Sequence, residues 1–172
     1  MSHAVQFYHD DTFLIDAVGA FIEAGFQEKA TSIVIATPQH REELRARLQT
    51  SGQSGAESRV LYFDAEDLLS TFMVDGQPNP TRFMSNIWPI LQQATLAGPI
   101  RIFGEMVAVL WAQGNTSAAI QLEKLWNELS RSRAFSLLCA YPMSSFPNAN
   151  HEFYHHVCQV HDQIHHSEQI AR

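Results

Sequence analysis

The chain is poor in positive charge and in cysteine, and each shortage excludes a class of function. Eleven Lys and Arg (11) stand against 18 Asp and Glu in 172 residues, for a net charge of −7 and a pI of about 5.6. Nucleic-acid surfaces need clustered cations to release counterions from phosphates, so direct nucleic-acid binding is not expected. The 2 cysteines are Cys139, inside an apolar run, and Cys158, in a polar stretch. They fall on elements with no reason to meet, so no disulfide is expected and a reducing, cytoplasmic compartment fits. No run approaches the roughly 18 apolar residues of a membrane span. The first residues also lack the basic region and apolar stretch of an export signal. The catalytic motifs are missing as well. There is no Gly-x-x-x-x-Gly-Lys-Ser/Thr, Gly-x-Gly-x-x-Gly, Cys-x-x-Cys, His-Glu-x-x-His or Gly-x-Ser-x-Gly. A phosphate loop would follow the first strand, but that place holds Tyr8-His9-Asp10-Asp11-Thr12, two acids and no glycine, which would repel phosphate.

What is present is apolar sequence in short, well-spaced pieces. With 45% hydrophobic residues and 11 Phe the chain can bury the core of one domain. Apolar or alternating runs at 3–8, 32–36, 60–63, 100–103 and 135–140 predict five strands. Between them Leu14, Ala17, Val18, Phe21 and Ile22 share a helical face, with Gly25 placed as a left-handed cap. Residues 39–48 predict a charged helix and 65–73 a short one. Phe83, Ile87, Leu91 and Ala94 form a further helical stripe that Pro89 should kink or restart. Ala119, Leu122, Trp126 and Leu129 form another, and 51–58 reads as a Ser- and Gly-rich loop. A terminal helix is expected from 151 to about 170. Strands alternating with helices predict a three-layer α/β fold with a mainly parallel β-sheet flanked by helices.

In such sheets the strand-to-helix loops gather on one edge, where ligands enter. That edge collects Tyr8 to Asp11, Thr37, Asp64, Glu105 and Tyr141; of these Tyr8, Asp10, Asp64, Glu105 and Tyr141 are the candidate ligand contacts, while Met106 and Trp111 would supply an apolar wall to the same pocket. Glu105, delivered by the strand at 100–103, is either a general base or a hydrogen-bond anchor, and a base would need a positioned partner. Trp111 and Trp126 serve either a ligand pocket or the core. The C-terminal segment holds His151, His155, His156, Cys158, His161, His165 and His166. Cys158, His161 and His165 are the nearest candidates for a metal, His161 and His165 as an i, i+4 pair. No separate segment completes four ligands, and neither a metal nor a cofactor is assigned.

Laid out in order, these residues resemble the MEDS family, the methanogen/methylotroph DcmR-type sensory domain. The resemblance rests on His3-Ala4-Val5-Gln6-Phe7-Tyr8 with an acid after it, Ile33-Val34-Ile35-Ala36-Thr37-Pro38-x-His40, Asp64-Ala65, Phe72-Met73 and Gly104-Glu105-Met106-Val107. It continues through Leu110-Trp111, Gly114-Asn115, Ala118-Ala119, Leu122-Glu123-x-Leu125-Trp126-Asn127 and Leu137-Leu138-Cys139-Ala140-Tyr141-Pro142, and closes on Cys158 and His161. It implies a fold similar to the RecA-like core of the circadian-clock ATPase KaiC with the phosphate loop lost. It also implies a sensory role toward small hydrocarbon-derived compounds. As a domain with nothing attached, the chain is expected to signal through a separate histidine kinase or transcription regulator, or through self-association.

Three functions therefore compete. One is a non-enzymatic sensor with a ligand at the carboxyl edge of the sheet. Another is a degenerate RecA-like nucleotide-binding enzyme using Glu105 and Asp64 with a divalent ion. The last is a metal- or pH-responsive interaction protein acting through the C-terminal histidines.

Overall fold

The computed structural model describes residues 2–51, 56–95, 98–146 and 151–166. All five expected strands form. β1 (Ser2–Tyr8) leads into α1 (Asp11–Gln27), whose first turn is capped by Asp10 accepting from the Phe13 N–H at 2.8 Å. Gly25 does not end that helix. α1 runs on to Gln27, and the left-handed residue is Lys29 at φ 57°. Gly25 instead lets the Arg101 side chain cross the helix, since a Cβ there would meet it at 2.7 Å. β2 (Thr31–Ala36) is buried throughout and is followed by α2 (Pro38–Thr50), which starts on a proline whose missing N–H costs nothing in the first turn. β3 (Val60–Asp64) follows; most of the loop expected over 51–58 lies outside the described residues.

The helix expected over 65–73 is shorter, α3 (Ala65–Ser70). Asp75 and Gly76 take φ values of 50° and 76° and close a small antiparallel hairpin, β4 (Met73–Val74) with β5 (Gln77–Pro78). Asp-Gly is the pair that this turn geometry demands. α4 (Pro80–Thr95) runs through Pro89 as one helix. Pro89 lies on its exposed side, away from the buried stripe of Phe83, Ile87, Leu91 and Ala94, where water can take the carbonyl left without a donor. β6 (Ile100–Gly104), α5 (Met106–Ala112), α6 (Thr116–Ser132) and β7 (Ser136–Pro142) complete the central unit.

The C-terminal segment departs most from expectation. The helix predicted to about residue 170 stops early, as α7 (His151–Gln159), and Gln163–His166 is a strand, β8, parallel to β1. The His161 imidazole turns back onto the Val157 carbonyl (2.6 Å) and occupies the acceptor that the next helical turn would need. Asp162 then latches the chain to the sheet: its N–H donates to the His3 carbonyl (2.7 Å) and its carboxylate accepts from the His3 N–H (3.0 Å).

The six-stranded sheet has the order β3-β2-β6-β7-β1-β8, every pair parallel. α1 and α2 cover one face, where Leu14, Val18, Ile22, Leu44 and Leu48 pack on Val34, Phe103 and Leu138. The opposite face carries α3 to α6 and a larger core built on Phe72, Phe83, Ile87, Leu110, Leu122 and Trp126. Right-handed crossovers impose this division, because the chain runs outward from β1 to β3 and then back. The helix after β2 and the helix after β6 therefore leave on opposite faces. The crevice between the ends of these adjacent strands is the topological switch point where such sheets receive ligands. Among the described residues no helix is long and apolar enough to cross a membrane.

Candidate functional site

The switch-point crevice is filled by Glu105, the residue immediately after β6. Its N–H donates to the Ile35 carbonyl on β2, which holds the backbone, and the residue is 2% exposed. One carboxylate oxygen accepts from the N–H of Thr37, at the head of α2, and the other meets His40 Nδ1 at 2.7 Å. His40 Nε2 lies 3.5 Å from the Asp11 carboxylate, which is exposed. A chain of charge thus runs from the buried glutamate through an imidazole to solvent. The hydrogen bond to Glu105 raises the His40 pKa above the ordinary histidine value; burial opposes it, and the charges of Glu105 and Asp11 add to the rise. Tyr8, 6% exposed, sits in the same field. Burial, then Glu105, then Asp11 push its phenol well above the usual value, so it stays protonated. Its hydroxyl has no hydrogen-bond partner among the described residues.

The other expected site residues are distributed differently. Asp10 caps α1, and Asp64 caps α3 by accepting from Glu66 and Asp67 (3.0 Å each) while pairing with Arg41 at 2.8 Å. Met106 is core, 1% exposed. Trp111 donates from Nε1 to the Ser145 carbonyl (2.8 Å) and stands edge-on to Phe153 and Tyr141, with ring centroids at 4.6 and 5.9 Å. Tyr141 and Tyr8 lie on opposite faces of the sheet, because Tyr141 is paired in register with Phe7 and side chains alternate along a strand. The structure therefore brings Tyr8 and Glu105 together and adds Asp11, Thr37 and His40. Trp111 and Tyr141 go to the larger core.

A second polar group lies within that core. Glu123, 1% exposed on α6, accepts from the Tyr141 hydroxyl at 2.9 Å. Its other oxygen is 3.2 Å from His3 Nε2 and 3.5 Å from the Cys139 thiol, and His161 Nε2 is 3.4 Å from the first. Burial works to raise the Glu123 pKa, but His161 and His3 outweigh it and hold the carboxyl well below its usual range. Burial and then the Glu123 charge push the Cys139 thiol and the Tyr141 phenol upward. Burial works against the charged form of His161, whereas Glu123 favours it, with a net rise. Of the C-terminal candidates only His161 takes part. Cys158 stands beside Tyr154 on α7, and His165 is exposed on β8. The i, i+4 pairing of His161 with His165 lapses, since no helix joins them. Glu123 could have been noticed as an acid between Leu122 and Trp126 on an apolar face. His3 and Cys139 carry no such signal, because they meet only when β1 pairs with β7.

Fold and site together define a parallel α/β domain in which Asp10 and Asp64 cap the first turns of α1 and α3 at the carboxyl edge, and Glu105 takes the N–H of Thr37 just before α2. The chain belongs to the MEDS family, the MEthanogen/methylotroph, DcmR Sensory domain, whose model matches residues 2–162. Its role is accordingly that of a sensory domain. Comparison with curated proteins and with solved structures gives no significant match.

Proposed function

We propose that this sensory domain is cytoplasmic, recognises a small hydrocarbon-derived molecule beside Tyr8 and Glu105, and passes the signal to a separate histidine kinase or transcription regulator. The observation that carries the reading is the Tyr8 hydroxyl, unpartnered beside the Asp11–His40–Glu105 chain at the switch point of the sheet. A short ligand with one polar atom would complete that hydroxyl and disturb the charge next to it. Because His40 lies in the first turn of α2 and Asp11 opens α1, a change in their pairing alters two helices at once, which gives a partner something to detect.

Kinship with the RecA-like core of KaiC fits the parallel sheet, but phosphate chemistry does not fit the helix ends. Backbone N–H groups that would cradle a phosphate are met by carboxylates, and an added anion would be repelled. The domain is therefore proposed to bind ATP and GTP with magnesium no tighter than millimolar and to hydrolyse neither. The direct test is a thermal-shift screen of short alcohols, carboxylic acids and haloalkanes on the wild type, Tyr8→Phe and Glu105→Gln, since a ligand that prefers the folded state raises its melting temperature. The expected result is a ligand whose stabilisation is lost in both variants while their folding is retained. Stabilisation undiminished in both would move the ligand elsewhere, and micromolar ATP binding by calorimetry would restore the nucleotide reading.

A further inference from the structure

We propose that His3, Glu123, Cys139 and His161 form a binding site for one divalent transition-metal ion of the zinc class, which fastens the α7–β8 segment to the sheet. One imidazole nitrogen from each histidine, the Cys139 sulfur and a Glu123 oxygen all lie within 4.8 Å of one another, and all four residues are buried. Zinc bonds of about 2.0–2.3 Å at tetrahedral angles set ligand atoms roughly 3.3–3.6 Å apart. The contacts at 3.2, 3.4, 3.4 and 3.5 Å already match that spacing. The widest pair has to close by only about 1 Å. Two nitrogens, one thiolate and one carboxylate are a donor set for a borderline-soft ion, not for magnesium or calcium.

The surrounding contacts aim the donors inward. Asn127 gives its amide hydrogen to the Val160 carbonyl (2.9 Å), so its oxygen faces His3 Nδ1 at 2.8 Å and requires a proton there. The Val157 carbonyl does the same for His161 Nδ1 at 2.6 Å. Both histidines thereby keep a proton on Nδ1, which leaves Nε2, directed at Glu123, as the nitrogen open to a metal once it gives up any proton of its own. This outer shell is the one that metal-ligating histidines use. Tyr141 holds the Glu123 carboxylate in place. His161 Nε2 is buried without a hydrogen-bond partner, an orphan that a cation would satisfy. A cleft of about 390 Å³, lined by Asn127, Arg131, Val160, His161 and Asp162 among others, borders the site at His161. On binding, the ion displaces the thiol proton of Cys139, which leaves to solvent. The four ligands come from β1, α6, β7 and the turn before β8, so coordination is closed and joins the C-terminal segment to three earlier elements.

The test uses the whole chain. Protein purified without chelator is assayed for metal, then stripped and titrated with Co²⁺. The expected result is one ion per chain, with an intense tetrahedral visible band and a near-ultraviolet thiolate-to-cobalt band. Cys139→Ser should abolish the latter, and His161→Gln should weaken affinity roughly 100-fold or more, at or above the upper end for outer-shell losses. Cys158→Ser and His165→Gln should change neither. If the Cys139 or His161 variant does not fold, X-ray absorption of the zinc-loaded wild type decides: one sulfur with three nitrogen or oxygen neighbours supports the site. No binding, a six-coordinate oxygen environment, or a near-ultraviolet thiolate band that survives Cys139→Ser would overturn it.

Discussion

Two glutamates packed against this sheet, one just after β6 and one on α6, are almost equally buried and live in opposite surroundings. Glu105, at the carboxyl edge, is met by a backbone N–H and by an imidazole whose far side touches an exposed aspartate. Glu123 is met by two imidazoles, a thiol and a phenol, all buried. The first charge has a route to solvent and can respond to what happens there. The second is surrounded by buried groups, and a carboxylate at that depth needs hydrogen bonds and positive partners to offset the loss of water. On the proposed reading, Glu105 belongs to the responsive site and Glu123 to the frame that holds it.

The comparison breaks most visibly if Glu123 is removed. Glu123→Ala strands four partners in the core, His3, Cys139, Tyr141 and His161, and is expected to destabilise by about 3–5 kcal/mol, measured by urea unfolding. Trp126→Ala, one turn along α6 at a 2% exposed position, should cost about 3–5 kcal/mol from lost packing alone. Equal losses would show that the polar cluster is as much core as the tryptophan. At the edge, Glu105→Gln keeps the shape and one acceptor, so the expected cost is smaller, about 1–2 kcal/mol in the same experiment. A loss matching that of Glu123→Ala would erase the distinction between the two sites.

A subtler difference is expected in pH dependence. The folded-state pKa of His40 is raised, so the stabilisation from its pairing with Glu105 is complete below the unfolded value of about 6.5 and fades as pH rises through the folded value. Unfolding free energy should therefore fall with rising pH in that window, and His40→Gln should flatten the slope there. An unchanged slope in the variant would assign the titration to another group. The smallest effect belongs to His165→Gln. Exposed on β8, it should shift stability by less than about 0.5 kcal/mol, which would show that histidine density at the C-terminus is not what makes a site.

Much of this was legible in the residues in order. The strands could be found because each is a short apolar run ended by Gly, Pro or an acid, and the covered ones are apolar on both faces. Glu105 was found by the same logic, as the acid that closes β6. Its partner His40 was harder to find, since it lies on a charged helix whose polar residues look alike until the sheet order puts α2 beside β6. Asp10 and Asp64 were at the correct edge and were nonetheless taken up as helix caps, because a free N–H in the first turn binds the nearest acceptor.

By itself the sequence determined the fold class, the parallel sheet with its helical crossovers and the edge that carries Tyr8 and Glu105, because hydrophobic period and turn chemistry are local properties of the chain. Only the tertiary structure decided that residues 163–166 form a strand instead of extending a helix. That segment is short and polar, with no preference strong enough to resist the free edge of β1 and the Asp162 latch to His3. The same pairing brings together His3, Glu123, Cys139 and His161, which are far apart in sequence. No spacing rule within one element could have announced them, since their meeting depends on strand order and on which face of β7 the thiol takes.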